Sequence, residues 1–332
     1  MIRMKDAVGN MELKNERFAD FLLAQNQSWQ LSANNYRGLK SVEEREFLIE
    51  GCKIRVQFNP ERMRSSAAKV DSSSIAARKC FLCNENRPAE QKSLDLSNGF
   101  LLLVNPFPIF SRHFTIPSKE HTPQLLIHSL RPLFEIARNM VVYTLFYNGP
   151  ECGASAPDHL HFQAGENGFM PIESEFEVMK LKDETLLFRS DNLRIWAFDG
   201  YLRKMISFET SDLEQGVKAI ENLCARFSEI QPEKAEPMMN LLCYFRDGKW
   251  VIHLFPRRLH RPWQFFEEGD RRLLISPASV DFGGVFITPR REDFDKITAS
   301  DIEDIFQQVS LGDDEFLKLK MSITNYKLQI TN

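Results

Sequence analysis

The sequence predicts an α+β protein built on antiparallel sheet, and three observations carry that expectation. Apolar and polar residues alternate over short runs such as KIRVQF at 53–58, the two-residue period of a half-buried strand. Asp247-Gly248 sits between two alternating runs in LLCYFRDGKWVIHLFP, the signature of a tight hairpin. Helical stretches interrupt the strands without the strict strand–helix–strand rhythm of a parallel sheet.

Taken in order, the first ~50 residues read as mainly helical and polar. KIRVQFNP is a strand, and ERMRSSAAKVDSSSIAARK is an irregular Ser/Ala/Arg-rich segment that runs into CFLC. GFLLLVNPFPIF reads as a buried strand entering a proline-punctuated loop, and HFTIPSKEHTPQ as a strand and turn. PQLLIHSL and PLFEIARNM are expected to be helical, each begun near a proline, which is favoured in the first helical turn. VVYTLFYNG is a strand, the loop PECGASAP follows, and DHLHFQAG comes next. In the second half, Ser211 to Glu214 reads as a capping box ahead of a stripe formed by Leu213, Val217, Ile220, Cys224 and Phe227. QPEKAEP looks like a linker-like break, and VDFGGVFITPRREDF like a further strand and turn. Ser300 to Glu303 is expected to open a last amphipathic helix with Ile302, Ile305, Phe306 and Val309 inward. No exact internal repeat and no low-complexity tract is present.

A formal net charge of −4 over 332 residues argues against a strongly basic nucleic-acid binder. No apolar run approaches the roughly 20 residues of a membrane span. The first residues lack the apolar stretch of a signal peptide, so the expected location is cytoplasmic. Six cysteines are then thiols or metal ligands before they are disulfides. Cys52 is isolated, while Cys152, Cys224 and Cys243 sit beside apolar or small residues and read as small buried hydrophobes.

Two of the seven histidines fall in HLHFQ. On a strand, His159, His161 and Gln163 share one face at ~6.5–7 Å intervals, while Leu160 and Phe162 anchor the other. An ordinary strand with satisfied polar residues accounts for the pattern as well as a site does. The loop before it, rich in Gly, Ala, Ser155 and Pro, brings backbone N–H groups where an anion can approach closely. Cys80-Phe-Leu-Cys83 has the spacing that lets two thiolates reach one zinc ion, and it needs two further ligands.

NGPECGASAPDHLHFQ resembles the His-x-His-x-Gln segment of the galactose-1-phosphate uridylyltransferase branch of the histidine-triad superfamily. That branch includes diadenosine tetraphosphate phosphorylases and GDP-hexose phosphorylases, and the spelling HLHFQ is closest to the latter. GKWVIHLFP and the stretch SVDFGG to QQVSL are similar to the C-terminal part of those phosphorylases, so the likeness spans roughly residues 50–312. The resemblance implies histidine-triad-like antiparallel sheets flanked by helices in two related halves, 1–185 carrying the motif and 186–332 the second.

It also implies roles. His161 would attack the α-phosphorus, with His159 beside it and Gln163 holding a phosphoryl oxygen. Hydrolytic relatives carry a third histidine at that last place, so glutamine points to transfer or phosphorolysis. A zinc ion would take Cys80, Cys83, His121 and His159, with His113 the rival for the third position. Asn105 and Phe107 would meet the base or ribose, Arg62 and Arg64 the phosphates, with Asn148 and Ser155 alongside. Lys119, Arg257, Arg258 and His260 are further positive positions, more readily read as solvated surface. The substrate so implied is a nucleotide sugar with inorganic phosphate, and relatives are often homodimers. A dinucleoside polyphosphate phosphorylase, a zinc-stabilised nucleotide-binding protein without turnover, and a hydrolase remain open alternatives.

Overall fold

The structure, a computed structural model, describes residues 2–63, 71–96 and 98–330. Two layers of sheet organise it. Strands β1 (Glu43–Ile49), β2 (Cys52–Phe58) and, much later, β13 (Val285–Thr288) form a small sheet. The intervening strands are β3 (Ser93–Leu96), β4 (Phe100–Val104), β5 (His113–Pro117), β6 (Tyr143–Asn148), β7 (His161–Glu166), β8 (Leu186–Arg189), β9 (Leu193–Phe198), β10 (Met205–Thr210), β11 (Met239–Arg246) and β12 (Lys249–Pro256). They form one ten-stranded antiparallel sheet in the order β3-β4-β5-β7-β6-β11-β12-β10-β9-β8. Read inward from either edge the succession is the same: three strands, then the fifth, then the fourth. A helix, Leu130–Asn139 or Leu213–Ile230, follows the third strand in each set. The sets join where β6 pairs with β11, Asn148 opposite Asn240.

Strict alternation divides the large sheet into two faces. Phe114, Ile116, Leu145, Tyr147, Phe162, Ala164, Leu241, Cys243, Ile252 and Leu254 pack under the helices in one core. Phe146, Leu242, Tyr244, Val251 and Phe255 face the other way, against the small sheet and helix Ala299–Val309. Residues on this second face that are polar define the functional region described below.

The α+β class and the large antiparallel sheet stand as expected. So does the Asp247-Gly248 hairpin: both residues have positive φ, 52° and 78°, the mirror-image turn that fits twisted strands. Several details differ. β1 already begins at Glu43, inside the stretch read as helical, after helices Ile2–Ser28 and Gln30–Gly38. β13 runs parallel to β2, so the small sheet is mixed. PQLLIHSL holds only a short turn of tighter helix, Ile127–Ser129. Asp212 rather than Ser211 caps its helix, accepting from the Gln215 N–H at 3.0 Å, because the Ser211 hydroxyl is engaged by Asn192. The later box is Thr298 with Asp301, and helix Asp313–Ile330 follows the one called last. QPEKAEP is no linker: Glu236 is buried and accepts the Leu126 N–H at 2.5 Å. No helix among the described residues is long and apolar enough to cross a membrane.

Candidate active site

The polar row of the second face crosses three adjacent strands: Thr115 on β5, His161 and Gln163 on β7, Asn148 on β6. These side chains line a cavity of about 470 Å³. Phe107, Arg62, Ser155 and His260 line it too, together with Trp29 from between the two N-terminal helices and Asp281 from the segment before β13. Arg64 lies outside the described residues.

His161 is only 3 % exposed, yet its ring borders the cavity instead of the core. Its Nδ1 lies 2.8 Å from the His159 carbonyl oxygen, which can only accept, so Nδ1 carries the hydrogen. Nε2 is then the unprotonated nitrogen, the form a nucleophile needs. Burial brings the ring down to about 4, keeping it neutral near pH 7. The backbone around it is fixed by Gln124, whose Oε1 accepts the His161 N–H at 2.7 Å and whose Nε2 donates to the His161 carbonyl at 3.0 Å. Tyr147 in turn bonds the Gln124 carbonyl and the Glu236 carboxyl.

The Gln163 and Asn148 amides have their oxygens occupied from behind. Gln163 Oε1 accepts from His113 Nε2 at 3.0 Å and Asn105 Nδ2 at 3.2 Å. Asn148 Oδ1 accepts from Asn240 Nδ2 and the Ser279 N–H. The amide nitrogens are the groups left for a ligand. Beside them the backbone N–H groups of Gly153, Ala154 and Ser155 make no hydrogen bond within the described residues. Gly153 has φ +94°, and a Cβ there would lie 2.7 Å from that of Ala278, so glycine alone lets the loop seat this closely. The cavity floor is therefore rich in donors, suited to an anion.

Metal-ligating groups converge next to it. Cys80, Cys83, His121 and His159 bring their ligand atoms within 4.8 Å of one another. Cys80 Sγ to His159 Nδ1 is 3.4 Å, Cys83 Sγ to His159 Nδ1 3.6 Å, and Cys83 Sγ to His121 Nδ1 3.2 Å. A tetrahedral ion with Zn–S near 2.3 Å and Zn–N near 2.0–2.1 Å sets sulfur and nitrogen about 3.6 Å apart, so the set fits a metal ion. His159 Nε2 donates to the Ser118 carbonyl at 2.9 Å, which leaves Nδ1 free to ligate. Burial works against the Cys80 thiolate, but the His159 ring and two backbone N–H groups outweigh it and bring the thiol down to about 6.

Other expected placements differ. His159 precedes β7 and turns to the cysteines, so the rail on the strand is His161 and Gln163 alone. His113 is not in the metal set; it is fully buried behind Gln163. Asn105 touches Gln163, Thr115 and the Phe107 N–H, while Arg62 is anchored on the Phe107 carbonyl at 2.7 Å. Lys119 pairs with Asp95 and Arg258 bonds the Gln307 and Gln308 carbonyls, both away from the cavity. Arg257 is wholly buried on carbonyls and Asn240. Sequence reasoning missed Gln124, Ser279, Asn240 and Asp281, none of which carries a local pattern. The Asp281 carboxyl caps the Ala278 N–H at 2.8 Å, and burial pushes it up to about 7.

Residues 177–329 match the family described as GDPGP1-like, C-terminal domain, and residues 21–166 match a domain of unknown function, DUF4922. No curated protein matches the chain. Among solved structures, yeast Ap4A phosphorylase Apa2 in complex with AMP is 16 % identical, with a TM-score of 0.59 over 91 % of this chain and 96 % of that one. The same yeast enzyme in complex with Ap4A gives 16 % identity and a TM-score of 0.53 over 86 % and 97 %.

Proposed function

We propose that this chain is a nucleotidyltransferase of the galactose-1-phosphate uridylyltransferase-like branch of the histidine-triad superfamily, one that splits a nucleoside-diphosphate sugar with inorganic phosphate. The observation that carries the reading is the hydrogen bond from His161 Nδ1 to the His159 carbonyl, beside a donor-lined cavity. It leaves Nε2 with a lone pair for in-line attack on the α-phosphorus. The bond from phosphorus to the bridging oxygen breaks, and hexose-1-phosphate departs with that electron pair. The nucleoside monophosphate stays on Nε2, and the Nδ1–H bond to the carbonyl spreads the positive charge. An oxygen of inorganic phosphate then attacks the same phosphorus, returning the electron pair to His161 and releasing a nucleoside diphosphate. Gln163, Asn148 and the 153–155 amides hold the non-bridging oxygens through both steps.

Zinc is the ion we assign to Cys80, Cys83, His121 and His159, where it supplies rigidity and no chemistry. His159 would be ligand through its ring and hydrogen-bond acceptor through its carbonyl, so the metal would steady the group that sets the His161 tautomer. The division into a catalytic half, 1–185, and a second half, 186–332, is supported by the repeated strand succession.

The likeness of HLHFQ and of the C-terminal stretch to GDP-hexose phosphorylases supports a nucleotide sugar as substrate. The fold shared with yeast Ap4A phosphorylase favours a second reading, phosphorolysis of a dinucleoside polyphosphate by the same histidine. Intact-mass analysis decides. Incubation with GDP-, UDP- and ADP-sugars and with diadenosine tetraphosphate should yield one acid-labile monophosphate adduct, lost in His161→Asn. Phosphate-dependent release of hexose-1-phosphate identifies the first reading, and release of ADP plus ATP the second. No adduct with any of them would overturn both.

A further inference from the structure

We infer that His113 is a positioning residue that holds the Gln163 amide with its NH₂ group toward the cavity. The inference deepens the nucleotidyltransferase reading and rests on it for its catalytic meaning. It starts from the ring's two shortest polar contacts, a third, Asn105 Nδ2, lying farther from Nε2 at 3.4 Å. The Ile109 N–H points at His113 Nδ1 from 3.1 Å, and a backbone N–H can only donate, so Nδ1 holds a lone pair. The hydrogen is therefore on Nε2, which stands 3.0 Å from Gln163 Oε1. The ring is wholly buried, and burial together with the nearby Arg62 charge keeps it neutral in that one tautomer. Phe110 and Phe146 pack against it with ring centroids 5.1 and 5.8 Å away, which fixes its plane.

A second donor reaches the same oxygen. Asn105 Oδ1 accepts the Phe107 N–H at 2.9 Å, so its Nδ2 faces Gln163 and donates at 3.2 Å. A glutamine amide is otherwise free to present either end. Flipped here, its NH₂ would meet two N–H donors and its oxygen would face the anion, leaving buried groups unpaired. Phosphoryl oxygens only accept, so the held orientation is the one that binds them. Few side chains other than histidine can accept from Ile109 on one side and donate to Gln163 on the other from a rigid plane.

The test has a spectroscopic and a kinetic arm. In ¹⁵N spectra of the full chain, His113 should show the Nε2–H tautomer from about pH 5 to about pH 8, without titrating. His113→Phe keeps the ring volume and removes the donor, and it should slow formation of the nucleotidyl adduct about tenfold. His113→Gln, which can both accept and donate, should restore most of the rate. In a Gln163→Ala background, His113→Phe should slow the step no further, because its only route is through Gln163. An Nδ1–H tautomer, a titrating ring, or additive losses in the double variant would overturn the inference. If the wild type forms no adduct with any nucleotide, the enzymatic reading fails by itself, and the tautomer measurement still decides the orientation.

Discussion

The Ser279 N–H donates to Asn148 Oδ1 at 2.8 Å across 131 residues of chain. Asn240, opposite Asn148 on the neighbouring strand, donates to the same oxygen at 2.9 Å. The later part of the chain thus decides which end of an amide in the earlier part meets the cavity. Asn240 is itself held by Arg257, whose buried guanidinium also bonds the Pro277, Leu259 and His260 carbonyls. Read from sequence as a further positive position and more readily as solvated surface, this cation is instead buried scaffold, because carbonyl oxygens surround it.

Replacing Asn148 by aspartate tests this arrangement. The oxygen that accepts from Ser279 and Asn240 survives, but the donor facing the cavity becomes a second, anionic oxygen. Opposed charges near 4 Å interact by about 4 kcal/mol at an effective dielectric of 20, and like charges lose as much. Asn148→Asp should therefore weaken binding of GMP, AMP or UMP more than tenfold in calorimetry. Unchanged affinity for all three would remove Asn148 from the ligand's reach.

Gly153→Ala probes the loop. Its φ of +94° is strained for alanine, and the added Cβ would meet Ala278 at 2.7 Å. A cost of about 1–3 kcal/mol is expected from the backbone alone. The loop amides should shift away from the cavity, so adduct formation should fall by more than the melting temperature suggests. A variant that melts and reacts like the wild type would mean the loop has room to spare.

What was legible in the sequence follows from the range of the interactions. His161 and Gln163 were readable because strand period puts alternate residues on one face, a purely local rule. Of the metal set, the Cys80–Cys83 pair was readable from its own spacing, while His121 and His159 came only from the family resemblance. His159 was misplaced by one step of the same rule: its N–H bonds back to Ala156 in a turn, and the strand begins only at His161. Gln124, Ser279 and Asn240 were invisible, since an ordinary polar residue gains its role from register and packing more than twenty residues away. β13 was readable as a strand, but its pairing was hidden for the same reason. Its four residues, Val285–Thr288, carry no signal that their partner is β2, more than two hundred positions earlier.

Glu236 makes a prediction about pH. Burial pushes its carboxyl up to about 7 from 4.5, against the pull of hydrogen bonds from Tyr147 and the 126 and 127 N–H groups. Tyr147 has one hydrogen and two acceptors in reach, the Gln124 carbonyl at 3.0 Å and the Glu236 carboxyl at 2.5 Å. A protonated Glu236 resolves the conflict by donating to the Tyr147 oxygen. Between about pH 4.5 and about pH 7 the folded chain then holds a proton that the unfolded chain has released. Stability contributed by this group is present below pH 4.5 and lost as pH rises through 7, by about 3 kcal/mol at most. Asp281, raised to about 7 as well, adds a loss of the same sign. Urea melts across this range should therefore be steeper in pH for the wild type than for Glu236→Gln, which keeps the neutral geometry. Equal slopes would refute the protonated state.

Metal removal should be felt at His161 even though no ligand atom of the cluster belongs to that ring. His159 turns Nδ1 to the cysteine thiols and its own carbonyl to His161 Nδ1, so one residue would couple a bound ion to the His161 ring. Metal analysis should find close to one zinc per chain in the wild type and much less in Cys80→Ser. The apo protein should melt several degrees lower, since an ion bound only by the folded state stabilises it by mass action. Adduct formation should slow on chelation and recover when zinc is returned, while His161→Asn should retain its metal. A chelated protein that reacts at the full rate would break the link between the cluster and the nucleophile.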